Sequence, residues 1–300
     1  MLRRSLIAAV VIAAVLALAA SGGAAHTAAA FPVTIHAANG DIVIKQRPVR
    51  IVSLSPTGTE DLFAVGAGSQ VVAVDNDSDY PKNAPHSTLS GYTPNIEAIA
   101  GYKPDLVVIS NDMDGIAGSL QKLGVTVLLE PAADNLSQAY DEIRQLGRAT
   151  GHATQSAKVV HGMESTLTTL LRSVPKAKRH LTVYDELDPT YYSVTSSTFI
   201  GRIFRLFGFR NIADAADTTH SGYPQLSAEY IVSSNPQIVV LSDTVCCGQN
   251  AKTVAARPGW GGIAAVKQGR VLAVNDDIAS RWGPRVVDFV RAIAAVARKK

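Results

Sequence analysis

The most strongly patterned stretch of the chain lies at its middle, over residues 154–173. Apolar side chains recur there at three- and four-residue steps, which is typical of a helix with one buried stripe. The stripe consists of Val159, Val160, Met163, Leu167, Leu170 and Leu171. Thr154 can cap the start of this helix, and Pro175 lies just past its end. About 20 residues at roughly 1.5 Å each predict a rod of about 30 Å, the diameter of a small domain.

One sequence pattern occurs on each side of this helix. EAIAGYKPDLVVIS begins at Glu97, EYIVSSNPQIVVLS begins at Glu229, and the two align without a gap. Both contain a glutamate, a short amphipathic helix, a proline that ends it, a wholly apolar strand and a serine. The repeat predicts two lobes of similar build that are joined by one helix.

Short apolar strands alternate with helices on both sides of the central helix. We expect strands at 50–54, 70–74, 106–109, 125–129, 181–184, 238–241 and 271–274, after a hairpin formed by 33–35 and 42–44. Strands that are apolar throughout favour parallel sheets covered on both faces. The predicted fold is therefore α/β, with two Rossmann-like lobes joined by one long connecting helix. The lobes would span 31–150 and 175–300, with the connecting helix in 151–174.

The N-terminus has the pattern of an export signal. Arg3 and Arg4 precede an apolar run over residues 6–20, and Ala28-Ala29-Ala30 offers a cleavage site before Phe31. The run is shorter than the ~20 residues that a membrane span needs, so we expect residues 1–30 to be removed. No cysteine stands near this site to carry a lipid. The rest of the chain has nearly balanced charge, which gives no electrostatic reason to expect a nucleic-acid partner.

The two cysteines, Cys246 and Cys247, are adjacent in a loop that follows a predicted strand. In an exported protein we expect them to be oxidised. A bond between neighbours brings the Cα atoms closer than ordinary disulfide geometry prefers, and two free thiols or a pair of metal ligands are the alternatives. We favour a disulfide between the two neighbours that stiffens the loop.

The sequence contains no convincing catalytic constellation and no close histidine pair at zinc-ligand spacing. Ligands of open parallel sheets bind beyond the carboxyl ends of the strands, and these loops could face each other across a cleft between the lobes. Aromatic faces with fixed polar groups suit a bulky, flat or amphipathic ligand. The candidates in these loops are Tyr80, Tyr191, Tyr192, Tyr223, Arg281, Trp282 and Arg285.

Glu97 and Glu229 each stand at the start of a short predicted helix, where a carboxylate stabilises the positive helix end. That effect alone would explain both residues. A second interpretation is that each lobe presents one carboxylate at an equivalent place, so that the pair docks two basic spots on a partner.

With these features together, the chain resembles the substrate-binding proteins of ABC importers for cobalamin and iron–siderophore complexes, whose lobes are joined by one rigid helix. The resemblance runs through RPVRIVSLSPTGTEDLFAVG, SDYP, PNIEAIAGYKPDLVVIS, GYPQLSAEYIVSSNPQIVVLS and RPGWGGIAAVKQGRV, nearly the whole mature chain. It implies an exported monomer, at the periplasmic or outer face of the cytoplasmic membrane, that delivers a corrinoid or ferric siderophore to a membrane permease and has no catalytic role and no cofactor.

The resemblance also implies roles for individual residues. Glu97 and Glu229 match the glutamates that pair with permease arginines in the family, and Tyr80 and Tyr223 match tyrosine and aromatic positions that line the cleft of cobalamin-binding members. A further cleft tryptophan of those members falls on Gly91, where Tyr92 is the candidate substitute. The competing hypotheses are a binder of a bare metal ion on a related helix-linked scaffold and an exported enzyme.

Overall fold

The computed structural model of the chain describes residues 31–299, and the signal peptide predicted at 1–30 lies outside them. The elements before the central helix are β1 (Val33–Ala37), β2 (Gly40–Ile44), β3 (Ile51–Leu54), α1 (Pro56–Ala64), β4 (Val71–Val74), α2 (Ile96–Gly101), β5 (Leu106–Ile109), α3 (Ile116–Lys122), β6 (Thr126–Leu129) and α4 (Leu136–Ala149). The central helix is α5 (Ala153–Ser173). We call the part of the chain before α5 the N-terminal lobe.

The elements after α5 form the C-terminal lobe. They are β7 (Thr182–Glu186), α6 (Phe199–Leu206), β8 (Arg210–Asn211), α7 (Ala228–Ser234), β9 (Ile238–Leu241), α8 (Thr244–Cys247), α9 (Ala251–Ala255), α10 (Ala264–Lys267), β10 (Val271–Ala273), α11 (Asp276–Ser280) and α12 (Val286–Arg298). None of the helices within residues 31–299 combines the length and the hydropathy that a bilayer crossing requires.

Each lobe contains a four-stranded parallel sheet, which confirms the predicted fold class. The strand orders are β4-β3-β5-β6 and β8-β7-β9-β10, so both sheets place their strands in the order second, first, third, fourth. The hairpin of β1 and β2 is antiparallel. Two sheets with one strand order are the architecture that the sequence repeat predicts.

The repeat extends to the register and to the backbone. Ile51 pairs with Leu106 in the first sheet, and Val183 pairs with Ile238 in the second, at the same spacing in the sequence. Lys103 and Asn235, each directly before a proline, both have left-handed backbone, with φ of 49° and 46°. A helix end favours this conformation, and a following proline disfavours the helical alternative.

The two lobes and α5 share one hydrophobic core. Val108 of β5, Val160 of α5 and Val240 of β9 all belong to the same cluster of buried side chains, together with Phe289 of α12. The predicted cap of the central helix is wrong, because α4 turns into α5 at Gly151 (φ 80°) and the helix begins at Ala153, so Thr154 lies inside the first turn. His152 precedes the helix and bonds Gln70 through its Nε2 atom, 2.8 Å from Oε1.

Candidate functional site

Two cavities lie between the lobes at the carboxyl ends of the strands. The first, which we call the Phe199 cavity, has a volume of about 400 Å³. It is lined by Ala132, Ala133, Asp134, Leu187, Ser197, Thr198, Phe199, Ile200, Ser221, Gly222, Tyr223, Ala279, Ser280 and Trp282. Residues of both lobes therefore form its wall, as the predicted cleft requires.

The second cavity, which we call the Ser55 cavity, has a volume of about 360 Å³. It is lined by Ser55, Pro56, Thr57, Asp77, Tyr92, Ser110, Asp277, Ser280, Arg281 and Trp282. Ser280 and Trp282 line both cavities. The cleft is thus divided in two by the segment that joins α11 to α12. Serine and threonine line both sides, but the Phe199 cavity has more aromatic and aliphatic side chains and the Ser55 cavity has more charged ones.

Arg281 lies at the end of α11 and is almost fully enclosed. Its guanidinium donates to Glu60 Oε1 at 3.0 Å, Asp79 Oδ1 at 2.8 Å, Asp277 Oδ1 at 2.7 Å and the Asp77 carbonyl oxygen at 3.0 Å. These acceptors hold the pKa of Arg281 above its usual value, although burial opposes the shift. Arg281 therefore links the two lobes and forms a neutralised part of the cavity wall.

Glu60, on α1, is the centre of this link. Its carboxylate is buried and also accepts two bonds from Arg285, from Nε at 2.9 Å and from Nη2 at 2.5 Å. A buried carboxylate needs such partners, because an unpaired charge in the interior is costly. Arg281 and Arg285, on either side of the segment that joins α11 to α12, thus fasten this segment to the N-terminal lobe.

The structure brings some of the predicted cleft residues together and places others elsewhere. Tyr92, Tyr223, Arg281 and Trp282 line the inter-lobe cavities. Tyr80 instead lines a neighbouring cavity of about 400 Å³ beside α1, where the Arg285 guanidinium lies 4.2 Å from the centre of its ring. Tyr80 is therefore adjacent to the cleft and contacts a residue that crosses between the lobes.

Tyr191 and Tyr192 belong to the C-terminal lobe in different ways. Tyr191 stacks on the buried ring of Trp260, with ring centres 5.7 Å apart, and the Arg257 guanidinium lies 5.4 Å from the Tyr191 ring. Tyr192 is 42% exposed and forms a bridge with Gln225. Sequence position alone did not distinguish these packing roles from a place in the cavities.

Gly91 stands where the resemblance expects an aromatic side chain, and it is tightly enclosed. A Cβ atom at this position would lie 2.8 Å from Asp75 Oδ2 and 2.8 Å from the Leu54 carbonyl oxygen. Those distances leave no room for a side chain without a shift of the backbone. Tyr92, the neighbouring residue, is 67% exposed and lines the Ser55 cavity.

The strand ends of the C-terminal lobe carry a buried carboxyl cluster that the sequence did not reveal. Glu186 binds Arg257 through two contacts of 2.6 Å, while burial raises the pKa of Asp185 to about 8 and that of Asp243 to about 7. Among residues 31–299, neither carboxylate oxygen of Asp243 has a hydrogen-bond partner. The pattern of carboxyls directly after two apolar strands was the available signal.

Cys246 and Cys247 are bonded to each other in the structure and are exposed at the end of α8. Asp276 accepts hydrogen bonds from the backbone N–H groups of Thr244, Val245 and Cys246, at 2.7 to 2.9 Å. The loop is thereby attached to α11, which lines both cavities. In the part of the chain that the structure describes, no group of three His, Cys, Asp or Glu side chains could hold a metal ion.

Glu97 and Glu229 occupy matching places in the two lobes. Each is the second residue of its helix, and the preceding cap residue accepts a backbone N–H: Asn95 from Ala98 at 2.9 Å, and Ser227 from Tyr230 at 3.1 Å. Both glutamates are exposed. The two helices lead into the corresponding strands β5 and β9, so each lobe presents one carboxylate at an equivalent position.

The fold and the cleft define a two-lobed binding protein whose lobes are joined by a helix. The chain belongs to the periplasmic binding protein family, whose model matches residues 51–278. It is 35% identical over 274 residues to an uncharacterized ABC transporter substrate-binding lipoprotein, YvrC, of Bacillus subtilis, an alignment that covers 88% of this chain and 85% of that protein. A cobalamin-binding protein of Halobacterium salinarum is 31% identical, over 90% of this chain and 75% of its own length.

Solved structures give the same classification. A possible iron-binding, periplasmic solute-binding protein of Staphylococcus epidermidis superimposes with a TM-score of 0.72 at 27% identity, over 85% of this chain and 100% of that one. The periplasmic vitamin B12-binding protein of Vibrio cholerae superimposes with a TM-score of 0.68 at 26% identity, over 84% and 99% of the two chains. The resemblance inferred from the sequence motifs is confirmed.

Proposed function

We propose that this protein is the extracytoplasmic substrate-binding component of an ABC importer and that it captures a corrinoid in the cleft between its lobes. The observation that carries the proposal is the cleft itself, in which two adjoining cavities are lined by side chains of both lobes. Their volumes lie in the range of small-molecule sites. Relatives of the chain include cobalamin-binding and vitamin B12-binding proteins.

The charges of the cleft support a corrinoid over an anionic iron complex. Among residues 31–299, Arg281 is the only lysine or arginine that lines either cavity, and three carboxylates line them as well: Asp77, Asp134 and Asp277. Arg281 is already paired with acidic side chains. An anionic ferric siderophore would therefore meet an excess of negative charge, whereas a flat macrocycle with uncharged amide arms would meet hydroxyl groups and aromatic faces.

Equilibrium titration with cyanocobalamin tests the ligand. We expect saturable binding at one site per chain, with weaker or no binding of an anionic ferric siderophore. If a ferric siderophore binds and cyanocobalamin does not, the protein serves iron uptake and the charge argument is wrong. If cyanocobalamin, the ferric siderophore and hemin all fail to bind, the proposal of a corrinoid ligand is overturned.

The matched glutamates support a docking role toward the permease. Both are exposed, both stand in the first turn of equivalent helices, and neither forms a salt bridge within the part of the chain that the structure describes. A carboxylate in the first helical turn is stabilised by the helix dipole but remains open to a second, basic partner. In our proposal, Glu97 and Glu229 pair with basic side chains of the permease and fix the orientation of the complex.

Replacement of both glutamates tests this role. Glu97→Ala with Glu229→Ala should leave ligand affinity within about twofold and abolish uptake by cells that carry the cognate permease, because the orienting charges are lost. Glu164→Ala, an exposed glutamate on α5, is the matched control and should transport normally. Loss of ligand binding in the double variant, or uptake equal to that of the control, would refute the docking role.

A further inference from the structure

One side-chain contact between the lobes involves the indole ring of Trp282, which lies between the two cavities. Trp282 follows α11, and its indole Nε1 donates to Glu142 Oε2 of α4 at 2.7 Å. Trp282 lines both the Phe199 cavity and the Ser55 cavity. The orientation of this one ring therefore decides the shape of both cavities.

The backbone on both sides of Trp282 is already fixed. Arg281 donates to four acceptors, as described above, and Gly283 packs so closely on α1 that a Cβ atom there would lie 3.0 Å from Asp61 Oδ1. The remaining freedom of Trp282 is rotation of its side chain. The indole N–H is its only polar group, so the bond to Glu142 is the polar contact that selects one orientation.

Glu142 lies where an apolar residue would be expected. It shares the buried stripe of α4 with Ala139, Ile143 and Leu146, and its side chain is buried. A carboxyl group at such a position is costly to ionise. A leucine there would complete the core but could not accept the indole N–H.

We propose that Glu142 positions Trp282 as the wall between the two cavities and so sets the shape of the ligand cleft. This inference rests on the proposed function, since it names a positioning residue for capture of the same ligand. Glu142 contacts Trp282 but does not line either cavity itself. Its effect on the ligand is therefore exerted through the ring.

The surroundings of Glu142 make this contact sensitive to protons. Burial raises the pKa of Glu142 to about 7, the bond from Trp282 opposes the rise, and Asp141 on the same helix adds to it. The other charged groups that interact with it are Glu130 after β6 and Asp61 on α1. Asp61 also lies near Glu60, which is paired with Arg281 and Arg285. Below pH 7, Glu142 takes up a proton, and its bond from the indole loses the strength that an ionised acceptor gives.

Tryptophan emission without ligand tests the contact directly. The chain has two tryptophans, and a Trp282→Phe variant supplies the emission of buried Trp260 for subtraction. Between pH 5.5 and 8.5, the Trp282 emission of the wild-type protein should change with a midpoint near 7. Glu142→Gln, which keeps an acceptor oxygen, should show no such midpoint, and Glu142→Leu should make Trp282 more accessible to acrylamide quenching. A midpoint that persists in Glu142→Gln, or equal quenching of wild type and Glu142→Leu, would overturn the proposal.

Titration with cyanocobalamin at pH 8 tests the consequence for the ligand. Glu142→Leu should bind at least tenfold more weakly than wild type, while Glu142→Gln should stay within about threefold. Equal affinity of all three proteins would overturn the positioning role. If wild type binds no ligand, the proposed function fails, but the emission experiment still decides whether Glu142 orients Trp282. If Glu142→Leu does not fold, the pH profile of Glu142→Gln decides alone.

Discussion

The two lobes share a strand order and a register, yet they differ at the position six residues before Glu97 and Glu229. The N-terminal lobe has Gly91 there, packed against Asp75 and Leu54, and the C-terminal lobe has Tyr223, 53% exposed on the wall of the Phe199 cavity. At equivalent positions of the two lobes, the N-terminal lobe thus has no side chain and the C-terminal lobe has an aromatic ring. The repeat therefore sets the strand order and register of both lobes, whereas each lobe forms its own part of the cavity wall.

The lobes also differ in how they keep a glutamate buried after a strand. Glu186, at the end of β7, is paired with Arg257. Glu130, directly after β6, has no arginine partner within residues 31–299, and burial raises its pKa to about 9, with a further rise from Glu142. One lobe neutralises its carboxyl with an ion pair and the other with a proton. Stability should therefore respond to different perturbations in the two lobes.

The largest effect should come from removing the arginine of the ion pair. Arg257→Met leaves Glu186 buried without its charge partner and should cost about 3–5 kcal/mol of unfolding free energy. Urea denaturation measures the loss. Arg205→Met, an exposed arginine on α6, is the control and should stay within about 0.5 kcal/mol of wild type. Equal stability of the two variants would show that the ion pair does not hold the C-terminal cluster together.

The protonated glutamate predicts a pH effect of nearly the same size. The folded-state pKa of Glu130 is raised above the unfolded value, so its contribution to stability is full at low pH and is lost as the pH rises toward 9. Between pH 4.5, the ordinary pKa of a glutamate, and pH 9, stability falls by about 1.4 kcal/mol per pH unit. Glu130→Gln removes this pH dependence. The unfolding free energy of the variant should therefore rise by about 3 kcal/mol relative to that of wild type between pH 6 and 8.

Urea denaturation at the two pH values measures this change. Glu164→Gln on the exposed face of α5 is the matched control and should keep a constant difference from wild type. A constant difference for Glu130→Gln as well would mean that Glu130 is ionised in the folded protein.

The contrast between Gly91 and Tyr223 predicts a smaller effect, on binding. Tyr223→Ala removes an aromatic face from the cavity wall and should weaken ligand affinity about tenfold, or about 1.4 kcal/mol. Tyr192→Ala removes another exposed aromatic ring of the same lobe that does not line either inter-lobe cavity, and should leave affinity unchanged. Both affinities come from the same calorimetric titration. Equal losses in the two variants would place the ligand outside the Phe199 cavity.

The smallest effect should come from the disulfide between neighbours. Cys246→Ser with Cys247→Ser should cost about 1 kcal/mol or less, because a bond that closes so short a loop restricts the unfolded chain little. The Asp276 carboxylate also holds the loop independently of the sulfurs. Urea denaturation with and without dithiothreitol measures both effects, and reduction should destabilise wild type no more than the double substitution does. A loss of roughly 3 kcal/mol would show that the bond between the neighbours stabilises the protein as much as one that closes a long loop.

The strands, the central helix and the two-lobed fold could be predicted from the sequence because the patterns that indicate them are local. Apolar runs, proline stops and the repeat predicted two parallel sheets and one long helix, and the structure confirms them. The site depends on contacts between distant residues, such as Glu60 with Arg285 and Glu142 with Trp282, which no spacing encodes. The sequence does contain a signal for Glu142, because a carboxylate on the apolar stripe of α4 breaks the local pattern. It contains no signal for the position of Tyr191, because an aromatic residue in a loop suits a core contact as well as a cleft.

In the proposed function, a ligand occupies the cleft beside Trp282. The most direct test is titration of the purified protein with cyanocobalamin while tryptophan emission is recorded, with Trp282→Phe as the reference for Trp260. We expect saturable quenching at one ligand per chain that is larger for Trp282 than for the Trp260 emission of the reference variant. Saturable binding that leaves the Trp282 emission unchanged would place the ligand outside this cleft and overturn the proposed site.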